Sequence, residues 1–148
     1  MLDLIIKNGQ CYVNGELKNV DVAIKDGKIN QIGQIQDETK EVLNAKGLTI
    51  LPGCIDTQTH FREPGSTDTE DLHSGSRAAI IGGITSVFEM PNTNPPTSNK
   101  AEFQKKLDLA KNRMYCNYAF YFGATANNVN QLSDLKDLEG CCGIKLFV

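Results

Sequence analysis

Three polar residues spaced two apart stand at the end of a strand-forming segment. Asp56, Gln58 and His60 are separated by single residues, so an extended strand would present all three on one face. Side chains placed like Gln58 and His60 at a strand end could both reach one metal ion. Neutral imidazole binds zinc well, whereas an amide oxygen is a weak ligand. The alternative for His60 is a structural role as a hydrogen-bonding residue.

Arg62 and Asn92 are candidates for binding a carboxylate. A guanidinium in the turn-forming segment 62–65 could hold a substrate carboxylate through two parallel hydrogen bonds. Asn92 follows an apolar segment, and its amide could donate to the same group. The alternatives are a surface salt bridge from Arg62 to Glu63 or Asp68, and an asparagine that simply initiates a turn.

Lys145 is a charged residue inside an apolar segment. Its neighbours Ile144 and Leu146 would point to the opposite face, so the amine is expected to project into the interior of a sheet or barrel. Burial disfavours the charged ammonium, and a neutral amine can take up carbon dioxide to form a carbamate that bridges two cations. The alternative is a lysine whose aliphatic chain runs along the surface to solvent.

The elements that must position these residues change in character near residue 50. Over residues 1–50, short apolar segments are separated by Asn8-Gly9, Asn14-Gly15 and Asp26-Gly27, dipeptides typical of tight hairpin turns. This pattern predicts part of a small antiparallel β-sandwich domain.

After residue 50, strand segments alternate with helical segments. Strands are predicted over residues 54–59, 84–90, 115–122 and 143–148, and helices over residues 71–82, 99–112 and 129–138. Such alternation predicts parallel strands joined by right-handed crossovers, in either a doubly wound sheet or a (β/α)8 barrel, with the chemistry at the carboxyl ends of the strands. The bare final strand also predicts that this is the first part of a longer chain.

Composition narrows the functional classes. The chain has 148 residues, 40% hydrophobic and 22% charged, which is ordinary for a globular domain. The net charge is -3 and the basic residues are scattered, so neither nucleic acid nor a membrane is expected as a partner. Five cysteines without a CxxC pair, and an N-terminus unlike a signal peptide, predict a reduced, cytoplasmic protein.

Three motifs together resemble the cyclic amidohydrolases of the amidohydrolase superfamily, most closely the dihydroorotase family. Residues 52–65, PGCIDTQTHFREPG, are similar to the family's PGxIDxHxHxREPG signature at the end of barrel strand 1. Residues 88–93, FEMPNT, resemble its MPNT loop, and residues 143–147, GIKLF, resemble the strand 4 segment that bears a carboxylated lysine. The resemblance implies that residues 51–148 form the first four βα units of a (β/α)8 metal-dependent hydrolase barrel.

The implied function is the interconversion of dihydroorotate and N-carbamoyl-aspartate in pyrimidine biosynthesis, by attack of a metal-bound hydroxide on the ring carbonyl. The resemblance implies that His60 and carboxylated Lys145 bind one or two zinc ions, and that His60, Arg62 and Asn92 bind the substrate. No catalytic residue is expected in this portion, since the proton-shuttle aspartate is expected beyond Val148.

Two departures from the family pattern limit this expectation. Gln58 stands where the family motif has its first histidine, so it is at best a weak metal ligand. Further family histidines and the aspartate come after strand 4, so the 148-residue chain alone is expected to be inactive. The alternatives are a non-catalytic homologue that acts as a scaffold for aspartate carbamoyltransferase, and a hydantoinase-like or allantoinase-like hydrolase, against which Arg62 and Asn92 argue. The oligomeric state is left open, with a homo-oligomer as one alternative.

Overall fold

The structure of the protein is a computed structural model that describes residues 1–147. The chain divides into two compact units, Met1–Pro52 and Gly53–Val148. Each unit has its own sheet structure, and each is described separately below.

The first unit consists of seven short strands in two sheets. The four-stranded sheet has the order β5-β4-β1-β6, and the three-stranded sheet has the order β3-β2-β7. A small core of Leu2, Ile5, Ala23 and Ile35 stabilises the larger sheet. The strands are β1 (Leu2–Lys7), β2 (Gln10–Val13), β3 (Glu16–Asn19), β4 (Asp21–Lys25), β5 (Lys28–Gly33), β6 (Thr39–Asn44) and β7 (Thr49–Ile50).

The prediction of a purely antiparallel unit is wrong. The β1 to β6 and β2 to β7 pairs are parallel, whereas the β1 to β4, β4 to β5 and β2 to β3 pairs are antiparallel. Strands β3, β6 and β7 were not predicted, because β3 is fully exposed and β6 nearly so, and neither shows the apolar alternation that marks a half-buried strand.

Two of the three predicted hairpin turns are confirmed. Asn14-Gly15 and Asp26-Gly27 have positive φ at both residues and connect antiparallel neighbours, as a two-residue hairpin requires. Asn8-Gly9 is not a hairpin, because the strands on either side of it belong to different sheets.

The second unit contains four parallel strands in the order β11-β10-β9-β8. They are β8 (Cys54–Thr59), β9 (Ile84–Glu89), β10 (Asn117–Gly123) and β11 (Cys141–Lys145). The predicted alternation and parallel pairing are therefore confirmed. Each strand is added on the same side of the previous one, which is the order found in a barrel, whereas a doubly wound sheet reverses direction.

Two helices and one 3-10 helix connect these strands. Helix α1 (Leu72–Ile81) begins after Asp71, whose side chain accepts from the Ser74 amide in a capping box, and α2 (Lys100–Ala110) begins after Asn99. Both helices lie within the predicted ranges. The third connection is a 3-10 helix (Val129–Leu135) rather than a longer helix, and β11 begins and ends earlier than predicted, with Val148 outside the described residues.

The core of the second unit lies between the sheet and the helices. Phe103 of α2 packs edge-to-face on Phe120 and at a tilt on Phe122, with ring centroids 6.3 and 6.2 Å away. Residues 1–147 contain no helix long and apolar enough to cross a membrane. All five cysteines are free thiols.

Candidate functional site

The carboxyl ends of β8 and β9 lie side by side and carry two loops, here called the first loop (residues 60–71) and the second loop (residues 90–99). The amide of Met90 donates to the carbonyl of Thr59, and the amide of Asn94 donates to the carbonyl of Pro64, both at 2.9 Å. The first bond joins the second loop to the end of β8 and the other joins the two loops, so together they fix the relative position of the loops.

His60 and Asn92 meet across these loops, as their places after neighbouring strands predict. The His60 Nδ1 atom lies 2.9 Å from the Asn92 Oδ1 atom. Because an amide oxygen can only accept, Nδ1 is the donor in this contact, and in a neutral imidazole the lone pair would then lie on the His60 Nε2 atom. Asn92 is exposed, so its amide nitrogen remains available to donate to a ligand.

Arg62 is exposed and has left-handed backbone geometry, with φ of 60°. This region costs a residue with a Cβ atom roughly 1–2 kcal/mol, so surrounding contacts must hold it. The Ser66 amide donates to the Arg62 carbonyl at 3.0 Å, which fixes the turn on one side. Within residues 1–147 the guanidinium forms no salt bridge, so neither alternative partner, Glu63 or Asp68, holds it.

Glu63 instead anchors the first loop to the helices. Its carboxylate is buried, accepts from the Leu72 amide at 2.9 Å, and receives two hydrogen bonds from Arg113, at 2.8 and 3.1 Å. These bonds raise the pKa of the Arg113 guanidinium. One carboxylate thus connects the residue after Arg62 to the start of α1 and to the segment after α2.

Gln58 does not follow the strict alternation that the sequence suggested. In the pairing of β8 with β9, Asp56 lies opposite Val87 and Thr59 lies opposite Glu89, so three steps on β8 match two on β9. A bulge of this kind breaks the period of two. The backbone amide of Gln58 donates to the Asp56 carboxylate at 2.9 Å, and Gln58 is exposed.

Lys145 ends β11 and is half-buried rather than enclosed. Its Nζ atom lies 5.4 Å from the centroid of the Phe147 ring. The neighbouring Ile144 and Leu146 are exposed. Strand β11 stands at the opposite end of the sheet from β8, so three strand spacings, about 14 Å of sheet, separate Lys145 from the strand that precedes His60.

A zinc ion therefore does not fit residues 1–147 alone. This part of the chain brings together no cluster of three His, Cys, Asp or Glu side chains around one point. His60 offers one good donor atom and Gln58 offers a weak one, whereas a zinc site needs three or four ligands.

Two residues that the sequence analysis missed lie directly beneath the loops. Glu89 and Lys106 are both fully buried, and their side chains are 3.4 Å apart. Desolvation raises the pKa of the Glu89 carboxyl and lowers the pKa of the Lys106 amine, against their mutual attraction. A signal was present in the sequence, because Glu89 is the one acid in the apolar segment 84–90.

The fold and the loop motifs agree with a comparison against family models, in which residues 49–140 match the Amidohydrolase family. The chain belongs to the Amidohydrolase family. Individual relatives show which members it is similar to. An allantoinase from Escherichia coli O1:K1 is 42% identical over 147 residues, which is 99% of this chain and 32% of that protein. An allantoinase from Escherichia coli strain SMS-3-5 is 43% identical over the same length.

Solved structures support the same family membership. L-hydantoinase from Arthrobacter aurescens superimposes with a TM-score of 0.87 at 28% identity, over 97% of this chain and 32% of that one. A D-hydantoinase structure gives a TM-score of 0.79 at 31% identity, over 95% of this chain and 32% of that one. The chain thus spans about a third of the length of the relatives it matches.

Proposed function

We propose that this chain forms part of a hydrolase that opens a cyclic amide, and that allantoin is the substrate of the full-length protein. The observation that carries the proposal is the 42% identity to an allantoinase over 99% of the chain. Allantoin contains a hydantoin ring, so the allantoinase and hydantoinase relatives agree on the ring to be opened. The dihydroorotase resemblance of the motifs supports the same reaction on a different ring.

The two loops supply the substrate-binding side of such a site. Water oxygen adds to the ring carbonyl carbon, the ring C–N bond breaks, and a proton passes to the departing nitrogen. Arg62, with an exposed guanidinium, and Asn92, with a free amide nitrogen, would donate to substrate oxygens. His60 is held by Asn92 through its Nδ1 atom, so in a neutral imidazole its Nε2 atom would carry the lone pair for a ligand. Members of the family are generally metal-dependent, and zinc with a carboxylated Lys145 stays a prediction.

Dihydroorotate is the second candidate, because it carries a carboxylate that Arg62 could bind through two hydrogen bonds. Arg62 has no salt-bridge partner in the described chain, which leaves it free for this role. Allantoin is neutral and would receive ordinary hydrogen bonds. The two candidates therefore differ in how much of the binding depends on Arg62.

The test is the substitution Arg62→Met in the full-length protein, with Arg62→Lys as the control that keeps the charge and loses the planar fork. With allantoin, Arg62→Met should lower kcat/KM by about tenfold, the size expected when one hydrogen bond to a neutral acceptor is lost. A loss of about 100-fold with dihydroorotate, only partly restored by Arg62→Lys, would instead identify a carboxylate substrate and overturn the proposal.

A further inference from the structure

The buried pair of Glu89 and Lys106 is poorly explained as a stabilising contact. Both side chains are fully removed from solvent, their separation of 3.4 Å is long for a charge-assisted hydrogen bond, and the Glu89 Oε2 atom has no hydrogen-bond partner within residues 1–147. Burying two charges costs several kcal/mol per ion, which such incomplete pairing recovers poorly. An apolar pair of similar size would stabilise the fold as well or better.

Glu89 and Lys106 form hydrogen bonds with the backbones of both loops. The Glu89 Oε1 atom accepts from the Phe61 amide at 3.2 Å, and the Lys106 Nζ atom donates to the Met90 carbonyl at 2.9 Å. Phe61 lies between His60 and Arg62, and Met90 lies two residues before Asn92. Each of the two groups therefore holds a peptide within two residues of a proposed binding residue.

The contact at Phe61 matters most because of the geometry of the next residue. Arg62 has a φ of 60°, and such a conformation persists only where neighbours fix it from both sides. The Ser66 amide fixes the Arg62 carbonyl, and on the N-terminal side Glu89 fixes the peptide between His60 and Phe61 through the Phe61 amide. The Phe61 ring further packs on Gly75 of α1, where an added Cβ would overlap the ring.

We propose that Glu89 is a positioning residue that holds the first loop, and with it Arg62 and His60, in the geometry for binding a cyclic amide, with Lys106 neutralising it and holding the second loop. The inference rests on the proposed function, since the loops are taken to bind substrate. Glu89 itself does not touch the reacting atoms.

The test compares two double variants of the full-length protein. Glu89→Gln/Lys106→Met removes both charges and keeps an oxygen that can accept from the Phe61 amide. Glu89→Leu/Lys106→Met also removes both charges, at similar volume, and deletes that oxygen. The loss of the Lys106 bond to Met90 is common to both variants, so the difference between them isolates the hydrogen bond from Phe61.

We expect the Leu/Met variant to have kcat/KM for allantoin about 10- to 100-fold below that of the Gln/Met variant, the cost of a small misplacement of binding groups. Its melting temperature should equal or exceed that of the Gln/Met variant, since an apolar pair replaces a polar one. Equal kinetics in the two variants, or a loss of activity that follows a loss of melting temperature, would overturn the proposal.

Hydrogen exchange at the Phe61 amide separates this inference from the choice of substrate. If the wild type does not hydrolyse allantoin, the proposed function fails, but exchange at Phe61 can still be compared between the variants. Faster exchange in the Leu/Met variant with unchanged exchange in α2 supports the positioning role. Equal protection of Phe61 in both variants contradicts it.

Discussion

The strand ends at the two sides of the parallel sheet differ sharply in how firmly they are held. At β8 and β9, two backbone hydrogen bonds, the His60 to Asn92 contact and the buried carboxylates of Glu63 and Glu89 hold the loops. At β11, Lys145 contacts the Phe147 ring, and its neighbours Ile144 and Leu146 are exposed. The difference teaches that the proposed substrate-binding loops are organised within the described residues, whereas the enclosed environment that a carboxylated Lys145 would need is not.

The largest expected effect is at the end of β11, the less organised of the two regions. In the full-length protein we expect Lys145 to carry a carbamate, detectable by ¹³C NMR after exchange with labelled bicarbonate. Replacing a residue that only orients a metal ligand costs about 10- to 100-fold in metal affinity or activity. Carboxylated Lys145 is predicted to bind the metal directly, so Lys145→Ala should cost at least about 100-fold in activity. Lys136→Ala, an exposed lysine on the preceding connection, is the control and should leave activity unchanged.

An unmodified Lys145 together with full activity of Lys145→Ala would contradict this prediction. In that case the end of β11 would have no part in the site, and the lysine would be a surface residue.

The next effect concerns the anchor of the first loop. Glu63→Ala leaves the Leu72 amide and the partly exposed Arg113 without their shared acceptor, so it should lower the free energy of unfolding by about 2 kcal/mol. The control is Glu16→Ala, which removes an exposed carboxylate 3.0 Å from Lys18 and should cost less than about 0.5 kcal/mol. Urea denaturation of both variants measures the difference, and equal costs would show that Glu63 does not anchor the loop.

The smallest effect tests how closely the two loops approach. Gly65 has a φ of +123°, and an added Cβ would lie 2.9 Å from the Asn94 Cβ and 3.1 Å from the Asn94 backbone. Gly15 also has positive φ, but open space surrounds it. Gly15→Ala should therefore cost only the backbone strain, about 1 kcal/mol, and Gly65→Ala at least about 1 kcal/mol more through overpacking.

The two glycine variants are compared by their melting temperatures. If Gly65→Ala is no more destabilising than Gly15→Ala, the loops are not in close contact at this point.

Local patterns in the sequence predicted the second unit better than the first. Caps at Asp71 and Asn99 and the apolar runs of β8 to β11 act within a few residues, so both helices and all four strands could be placed. In the first unit the parallel partners β6 and β7 pair with strands far along the chain, and no local signal specifies such pairing.

Contacts in the site could be predicted where both residues follow neighbouring strands. They could not be predicted where they depend on which distant side chains are buried together. The meeting of His60 and Asn92 follows from the parallel order of β8 and β9. The partners of Glu63 and Glu89 could not be predicted, because Arg113 is 50 residues from Glu63 and Lys106 is 17 residues from Glu89. The bulge between Asp56 and Thr59 of β8 is also not revealed by the regular alternation of polar residues.

The most direct test of the proposed function is the ratio of kcat/KM for allantoin and dihydroorotate, measured on the purified full-length protein. We predict a preference for allantoin of at least about 100-fold, because a site whose polar groups are arranged for one ring leaves some of them unpaired when a different ring is bound. A preference for dihydroorotate, or the absence of turnover with both compounds and with hydantoin, would contradict the account; the last result would favour a non-catalytic scaffold.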